Sequence, residues 1–135
     1  MRILCLDIGD VRIGVAVSDP LGISTNGIET HLSKGADADA DYFTALASSL
    51  HAEKILLGLP LNMDGTEGDR AEKVRAFGSI LSERSGLSVD YEDERLTTVE
   101  AEEMLIEAGL SRQERRKVID KVAAEIILRS YLNKK

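Results

Sequence analysis

Two short apolar segments, separated by the turn residues Gly9 and Asp10, place the strongest constraint on how this chain can fold. The first segment covers residues 3–8, and the second, rich in valine and isoleucine, starts at Ile13. Apolar runs of this length around a turn dipeptide indicate a β-hairpin. Asp7 lies where the first strand ends, and a carboxylate buried there without a partner would be costly, so it calls for a cation. The alternative is an ordinary hairpin in which Asp7 caps a turn.

The length and composition indicate one globular domain spanning residues 1–135. Hydrophobic residues make up 43% of the sequence and charged residues 30%, as in soluble globular proteins. No apolar run approaches the ~20 residues of a membrane span, and the N-terminus lacks the pattern of a signal peptide. We therefore expect a cytoplasmic protein without a membrane partner. The single cysteine, Cys5, lies inside the first strand and is predicted to be a buried apolar side chain.

The net charge of −7 argues against a protein that coats nucleic acid through its overall electrostatic field. It allows an enzyme that binds nucleic acid through a local basic surface. One segment near the C-terminus is locally dense in basic residues and is the candidate for that surface. Its members are Arg112, Arg115, Arg116, Lys117 and Lys121.

The remaining sequence alternates strand and helix patterns. Segment 23–30 predicts a third antiparallel strand, 31–41 a loop and 40–50 a helix. The continuous apolar run 54–60 predicts a strand buried on both faces of a parallel sheet, and the alternating segment 87–92 predicts a strand nearer the edge. A helix ending near Ser85 separates these two strands, and two more helices follow. Three capping boxes predict helix starts, at Thr66 with Asp69, Thr97 with Glu100 and Ser111 with Glu114.

Acidic residues occur at three positions within or at the end of apolar segments. Asp7 is the first, Asp93 and Glu94 directly follow the edge strand, and Asp120 lies within the apolar arc of the last helix. All three positions can converge at one edge of a five-stranded sheet. Such oxygen-rich clusters bind Mg²⁺ or Mn²⁺, and two ions about 4 Å apart catalyse phosphodiester hydrolysis. Asp120 taken alone is more simply explained as a structural group with a hydrogen-bonding partner.

The loop after the buried strand offers a further polar site. In open α/β sheets ligands collect beyond the carboxyl ends of the strands, and segment 61–68 lies there. Asn62 and Asp64, with the amides of the following helix, could hold a phosphate. A capped turn is the alternative interpretation of Asp64.

Four motifs together resemble the YqgF/RuvX family over nearly the whole chain, in order and at suitable spacing. They are Asp7-x-Gly9-x-x-Arg12-Ile13-Gly14, Gly58-Leu59-Pro60-Leu61-Asn62-Met63-Asp64-Gly65-Thr66, Asp93-Glu94-Arg95-Leu96-Thr97-Thr98 and Asp120-x-x-Ala123-Ala124. The resemblance implies a ribonuclease H-like α/β fold, in which three antiparallel strands and then two parallel strands form a mixed five-stranded sheet with helices on both faces.

The resemblance also implies an activity. It suggests a metal-dependent nuclease that trims the 5′ end of pre-16S ribosomal RNA, with a Holliday junction resolvase acting on branched DNA as the alternative. A nucleic-acid-binding assembly factor with weak or no catalysis is the third possibility. The partner is then structured RNA or branched DNA, and the chain is a monomer or a homodimer. An actin-like kinase lobe shares the Asp-x-Gly hairpin, but it requires a much longer chain.

Site residues carry over by motif position. The metal-binding and catalytic carboxylates would be Asp7, Glu94 and Asp120, holding Mg²⁺ or Mn²⁺, with Asp93 as the alternative to Glu94. The substrate-binding residues would be Arg12, Asn62 and Arg95, to which the basic segment adds Arg116. Guanidinium groups suit bidentate phosphate contacts, although Arg95 could instead only pair with a carboxylate.

Overall fold

The N-terminal hairpin forms as the apolar pattern predicts, with Gly9 N donating to Arg12 O at 2.9 Å in its turn. The computed structural model describes residues 1–134. No helix in that range has the length and apolar character that crossing a membrane would require. The elements in chain order are β1 (Ile3–Ile8), β2 (Arg12–Ser18), β3 (Thr25–Leu32), α1 (Ala36–Ser49), β4 (Lys54–Leu59), α2 (Asp69–Ser85), β5 (Ser88–Asp93), α3 (Thr97–Glu107) and α4 (Arg112–Asn133).

The strands form one mixed sheet in the order β3-β2-β1-β4-β5. The pairs β1–β2 and β2–β3 are antiparallel, whereas β1–β4 and β4–β5 are parallel. The predicted mixed five-stranded sheet is therefore confirmed. Because β1, β4 and β5 run in the same direction, their carboxyl ends meet at one edge of the sheet, and β2 begins at that edge.

Helices cover both faces of this sheet, as predicted. Buried side chains of α1 and α2 pack with Leu4 and Leu6 of β1 on one face. On the other face α4 packs against Ile3 and Cys5, and α3 packs against α4. Successive side chains of a strand alternate between faces, so Asp7 continues the row of Ile3 and Cys5 towards α4.

The predicted loop at residues 31–41 is wrong at both ends. β3 continues to Leu32, and α1 begins at Ala36 instead of near residue 40. The carboxylate of Asp39 explains the early start, because it accepts hydrogen bonds from Ser33 Oγ at 2.6 Å and Lys34 N at 2.9 Å. These bonds fix the chain between strand and helix despite its polar composition.

One of the three predicted capping boxes is present. Ser111 Oγ accepts from Glu114 N at 3.2 Å, and Glu114 accepts from Ser111 N at 2.8 Å, at the start of α4. The box at Thr66 is wrong, because its hydroxyl donates to Asp64 at 2.6 Å within the loop and α2 begins only after Gly68. The box at Thr97 is also wrong. Leu96 caps α3 there, in the left-handed region with φ 64°, without a side-chain hydrogen bond.

Candidate active site

A cavity of about 320 Å³ lies at the edge of the sheet where the carboxyl ends of the parallel strands meet. Three carboxylates line it, one from each of three separate parts of the fold: Asp7 from β1, Glu94 just after β5 and Asp120 from α4. The remaining lining residues are Ile8, Gly9, Pro60, Leu61, Met63, Arg70, Arg95, Leu96 and Thr98. The structure thus brings the predicted acidic positions to one place.

Two glycines allow the elements that carry these carboxylates to approach one another. A Cβ at Gly14 of β2 would overlap the backbone of Asp120, so α4 can cross β2 closely only because residue 14 has no side chain. A Cβ at Gly58 of β4 would overlap the carboxylate of Glu94. Glu94 N also donates to Leu59 O at 3.2 Å, which extends the pairing of β4 with β5 and holds Glu94 over Gly58.

Asp7 and Glu94 are hydrogen-bonded to each other, which requires one of them to carry a proton. Burial, together with the hydrogen bond to Asp7 and the charge of that group, raises the pKa of Glu94 from 4.5 to about 9. Burial also raises the pKa of Asp7, partly offset by the hydrogen bond from Glu94. The proton therefore resides on Glu94, which donates to the Asp7 carboxylate. Burial raises the pKa of Asp120 against the opposing charge of Arg12.

The side chains of Asp93 and Glu94 face different surroundings. Asp93 Oδ2 accepts from Arg95 Nε at 2.8 Å and lies 2.7 Å from Arg95 Nη2, while its Oδ1 accepts from Arg95 N at 2.9 Å. The side-chain hydrogen bond of Arg95 chiefly lowers the pKa of Asp93. Arg95 Nη1 also donates to Met63 O at 3.2 Å, linking the loop after β4 to the cavity. Glu94 lines the cavity and Asp93 does not.

Three other predicted substrate-binding residues, Arg12, Asn62 and Arg116, do not line the cavity. Arg12 is exposed at the start of β2, where its charge partly offsets the rise that burial causes in the pKa of Asp120. Asn62 does not line the cavity, and its Nδ2 donates to Thr66 Oγ1 at 3.0 Å within the loop. Arg116 is exposed on α4, one helical turn before Asp120.

The basic segment of α4 is not uniformly free to bind a ligand. Arg115 Nε donates to Glu102 Oε1 of α3 at 2.6 Å, and its Nη1 donates to Leu110 O at 3.0 Å. Arg115 is therefore a structural link between the two helices, whereas Arg116 and Lys117 are exposed. The part of the predicted surface that remains accessible is smaller than the sequence indicated.

A family model described as "RuvX: Holliday junction resolvase" matches residues 1–134. The chain belongs to the RuvX family. A relative from Halothermothrix orenii is 50% identical over 133 residues, which cover 98% of this chain and 95% of that protein. One from Heliobacterium modesticaldum is 47% identical over 135 residues, covering 100% of this chain and 91% of that protein. Both carry the name "Putative pre-16S rRNA nuclease".

Solved structures agree with the RuvX assignment at the level of fold. Thermus thermophilus RuvC in complex with Holliday junction substrate has a TM-score of 0.62 and 11% identity, covering 98% of this chain and 96% of that one. The fowlpox virus Holliday junction resolvase has a TM-score of 0.60 and 15% identity, with both chains fully covered. The expected ribonuclease H-like fold is confirmed.

Sequence reasoning did not find two residues of this RuvX cavity. Arg70, the second residue of α2, lines it, and its positive charge opposes the raised pKa values of Asp7 and Glu94. Thr98 lines it from the first turn of α3. α3 begins four residues after β5 ends, and this placement was an available signal for Thr98, whereas the loop 60–68 separates Arg70 from β4.

The cavity partly matches a divalent metal site. Its acidic side chains offer only oxygen donors, and the hydrogen bond between Asp7 and Glu94 brings two of them into contact. Within residues 1–134, however, no three carboxylate, histidine or cysteine side chains stand close enough together to hold an ion as they are placed. Asp120 faces the same cavity and would have to move towards the other two to complete a shell.

Proposed function

We propose that this chain is a metal-dependent nuclease that trims the 5′ end of pre-16S ribosomal RNA in the cytoplasm. The observation that carries the proposal is the convergence of Asp7, Glu94 and Asp120 on one cavity beside Arg70. Grouped carboxylates beside a free guanidinium suit hydrolysis of a phosphodiester, which needs cation binding and phosphate binding side by side. The names of relatives that are 47–50% identical support ribosomal RNA as the substrate.

In this proposal Asp7, Glu94 and Asp120 hold Mg²⁺ or Mn²⁺, because hard divalent cations prefer oxygen ligands. Such a cation would supply an activated water and stabilise the leaving oxygen. The contact between Asp7 and Glu94 supports their role as joint ligands of a cation. Two carboxylates this close need either a proton or a cation between them. Glu94 must release its proton before it can serve as a charged ligand.

The remaining lining residues would position the substrate. Arg70 lies in the cavity with Asp7 and Glu94 and would bind the oxygens of the phosphate under attack. Arg95 is held by Asp93 and by Met63 O, so its guanidinium is fixed at the rim before substrate arrives. Asn62 supports the loop that carries Met63 and would contact phosphate only through that loop.

The test is cleavage of a precursor RNA that includes the 16S 5′ leader, beside a four-way DNA junction, in Mg²⁺, Mn²⁺ and EDTA. We expect the leader RNA to be cut with either cation and not in EDTA. Asp7→Asn and Glu94→Gln should both reduce cleavage to background while leaving the fold intact by circular dichroism. The comparison variant is Asp93→Asn, which changes the neighbouring carboxylate that does not line the cavity. It loosens Arg95 and should slow cleavage, but much less than Glu94→Gln does.

Other outcomes would each overturn a different part of the proposal. Loss of cleavage in Asp93→Asn but not in Glu94→Gln would exchange the assigned ligands. Cutting of the DNA junction alone would replace the ribosomal substrate with the branched DNA named in the family description. Binding of the leader without cutting, by the parent protein with either cation, would favour a ribosome-assembly factor over an enzyme.

A further inference from the structure

A second cavity, of about 190 Å³, adjoins the carboxylate cavity. The two share four lining residues, so they form one continuous groove that crosses the end of β1 at Gly9. The shared residues are Ile8, Gly9, Pro60 and Arg70. Asp10, Lys73 and Val74 line only the second cavity, whereas the three carboxylates of the candidate active site line only the first. None of the site residues predicted from the sequence lines the second cavity.

The two basic residues of the second cavity are free to bind a ligand. Arg70 and Lys73 are both exposed, and neither forms a hydrogen bond or a salt bridge within residues 1–134. Other arginines of α2 are engaged. Arg75 donates to Glu67 at 2.7 and 2.8 Å, and Arg84 pairs with carboxylates of α1. The unpaired positive charge of α2 is therefore concentrated at the end that faces the groove.

The spacing of Arg70 and Lys73 suits a chain of phosphates. Residues three apart on a helix are neighbours, with Cβ atoms about 5–6 Å apart. This is of the order of the distance between successive phosphates along a nucleic-acid strand. Gly9 contributes no side chain to the junction of the two cavities, so a strand can pass from one to the other across it.

We infer that the second cavity is a subsite for the phosphate next to the scissile one, held by Lys73, while Arg70 spans the two positions. The inference rests on the proposed nuclease function and adds the path of the strand: one side of the cleaved bond leaves the carboxylate cavity across Gly9. Asp10 is the one acidic residue that lines this subsite among residues 1–134, and its charge opposes phosphate binding.

The test measures binding of a fluorescent single-stranded 5′-leader RNA by anisotropy, with Asp7→Asn present in every protein so that the RNA stays intact. Adding Lys73→Ala should weaken binding several-fold at low salt. It should also reduce the slope of log K against log salt by about 0.7, the value for one phosphate contact on a single strand. Adding Asp10→Asn instead should tighten binding, because it removes a repulsive charge.

The matched control is Arg84→Ala, which removes one positive charge from the same helix about 16 Å beyond Lys73. It should lower the affinity less than Lys73→Ala does and should leave the salt slope unchanged. Equal slopes for the parent and Lys73→Ala would overturn the subsite while leaving the nuclease proposal in place. Failure of the parent itself to bind the leader RNA would overturn both together.

A chemically modified RNA locates the contact. A methylphosphonate replaces one charged phosphate with a neutral group, and it can be placed in turn on either side of the scissile linkage. One of the two substitutions should weaken binding to the parent and have no further effect on Lys73→Ala. Additive losses at both neighbouring positions would contradict the assignment of Lys73 to the adjacent phosphate.

Discussion

At the scale of single residues, Gly58 provides the space that the Glu94 carboxylate occupies. A Cβ at residue 58 would lie 2.8 Å from Cδ1 of Ile127 and would overlap Oε2 of Glu94. Ile127 is 1% exposed and packed in the core, so the less constrained Glu94 is the group that must move. We therefore expect Gly58→Ala to slow cleavage by about 100-fold, the order of loss that a displacement of about 1 Å produces at a catalytic group.

The comparison for this variant is Gly86→Ala at the end of α2. Gly86 has φ 73° and no atoms within 4 Å of an added Cβ, so the change strains the backbone by about 1–2 kcal/mol without touching the cavity. Its Tm should fall while its cleavage rate at 25 °C stays at the parent value. A parent-like rate for Gly58→Ala, measured beside it under single-turnover conditions, would show that Glu94 needs no such space.

Individual site residues differ in how readily the sequence reveals them. Asp7 and Asp120 interrupt apolar patterns, so their exceptional positions can be read directly. Asp93 and Glu94 are adjacent at a strand end, and only the pairing of Asp93 with Arg95 distinguishes them. Arg70 gives no signal of its own, because an arginine on an exposed helix surface is common in any sequence.

At the scale of elements, α3 and α4 form a helical hairpin whose connection depends on Arg115. Its hydrogen bonds to Glu102 and Leu110 O join the helices, and its side chain is only 17% exposed. We expect Arg115→Ala to cost about 1 kcal/mol of unfolding free energy, which is several degrees in Tm. Arg116→Ala with Lys117→Ala should leave Tm within about a degree and weaken binding of the leader RNA.

Differential scanning fluorimetry and the anisotropy assay separate these two effects. Reversed results, with Arg116 and Lys117 governing stability and Arg115 governing only binding, would contradict the division of the basic segment. The sequence alone could not make this division. The sequence shows five cationic residues close together, but not which of them pairs with a carboxylate of the neighbouring helix α3.

The periodicity of apolar residues predicted which segments form strands and helices, but it did not predict several of their boundaries. The hairpin, the buried strand β4 and the helix α4 have patterns long or apolar enough to read without ambiguity. The starts of α2 and α3 depended on threonines whose spacing matched a capping box. At Thr66 the hydroxyl is instead taken by Asp64, and at Thr97 the residue before it adopts a left-handed conformation. The Asp64–Thr66 contact is itself local, so the sequence offered two competing local hydrogen-bonding patterns at Thr66 and did not show which one forms.

At the scale of the whole molecule, the buried carboxylates couple folding to pH. The pKa of Glu94 is raised by burial and by its contact with Asp7, from 4.5 to about 9, and burial raises the pKa of Asp7 and Asp120. The folded chain thus keeps protons that the unfolded chain has released. Stability falls with rising pH wherever the folded state binds more protons. This contribution is complete below the unfolded pKa values and is lost as the pH approaches about 9.

We therefore expect the unfolding free energy of the metal-free chain to decrease between pH 4.5 and about 9. Mn²⁺ should restore it more strongly at higher pH, because the cation replaces the shared proton in the folded state alone. Urea denaturation in EDTA and in Mn²⁺ measures both effects.

Glu94→Gln should flatten the metal-free profile and remove the response to Mn²⁺. The control is Asp19→Asn, because hydrogen bonds from Ser24 and Ile23 lower the pKa of Asp19, so its contribution is lost only at acid pH. Identical profiles for the parent and Glu94→Gln would contradict the proton shared by Asp7 and Glu94.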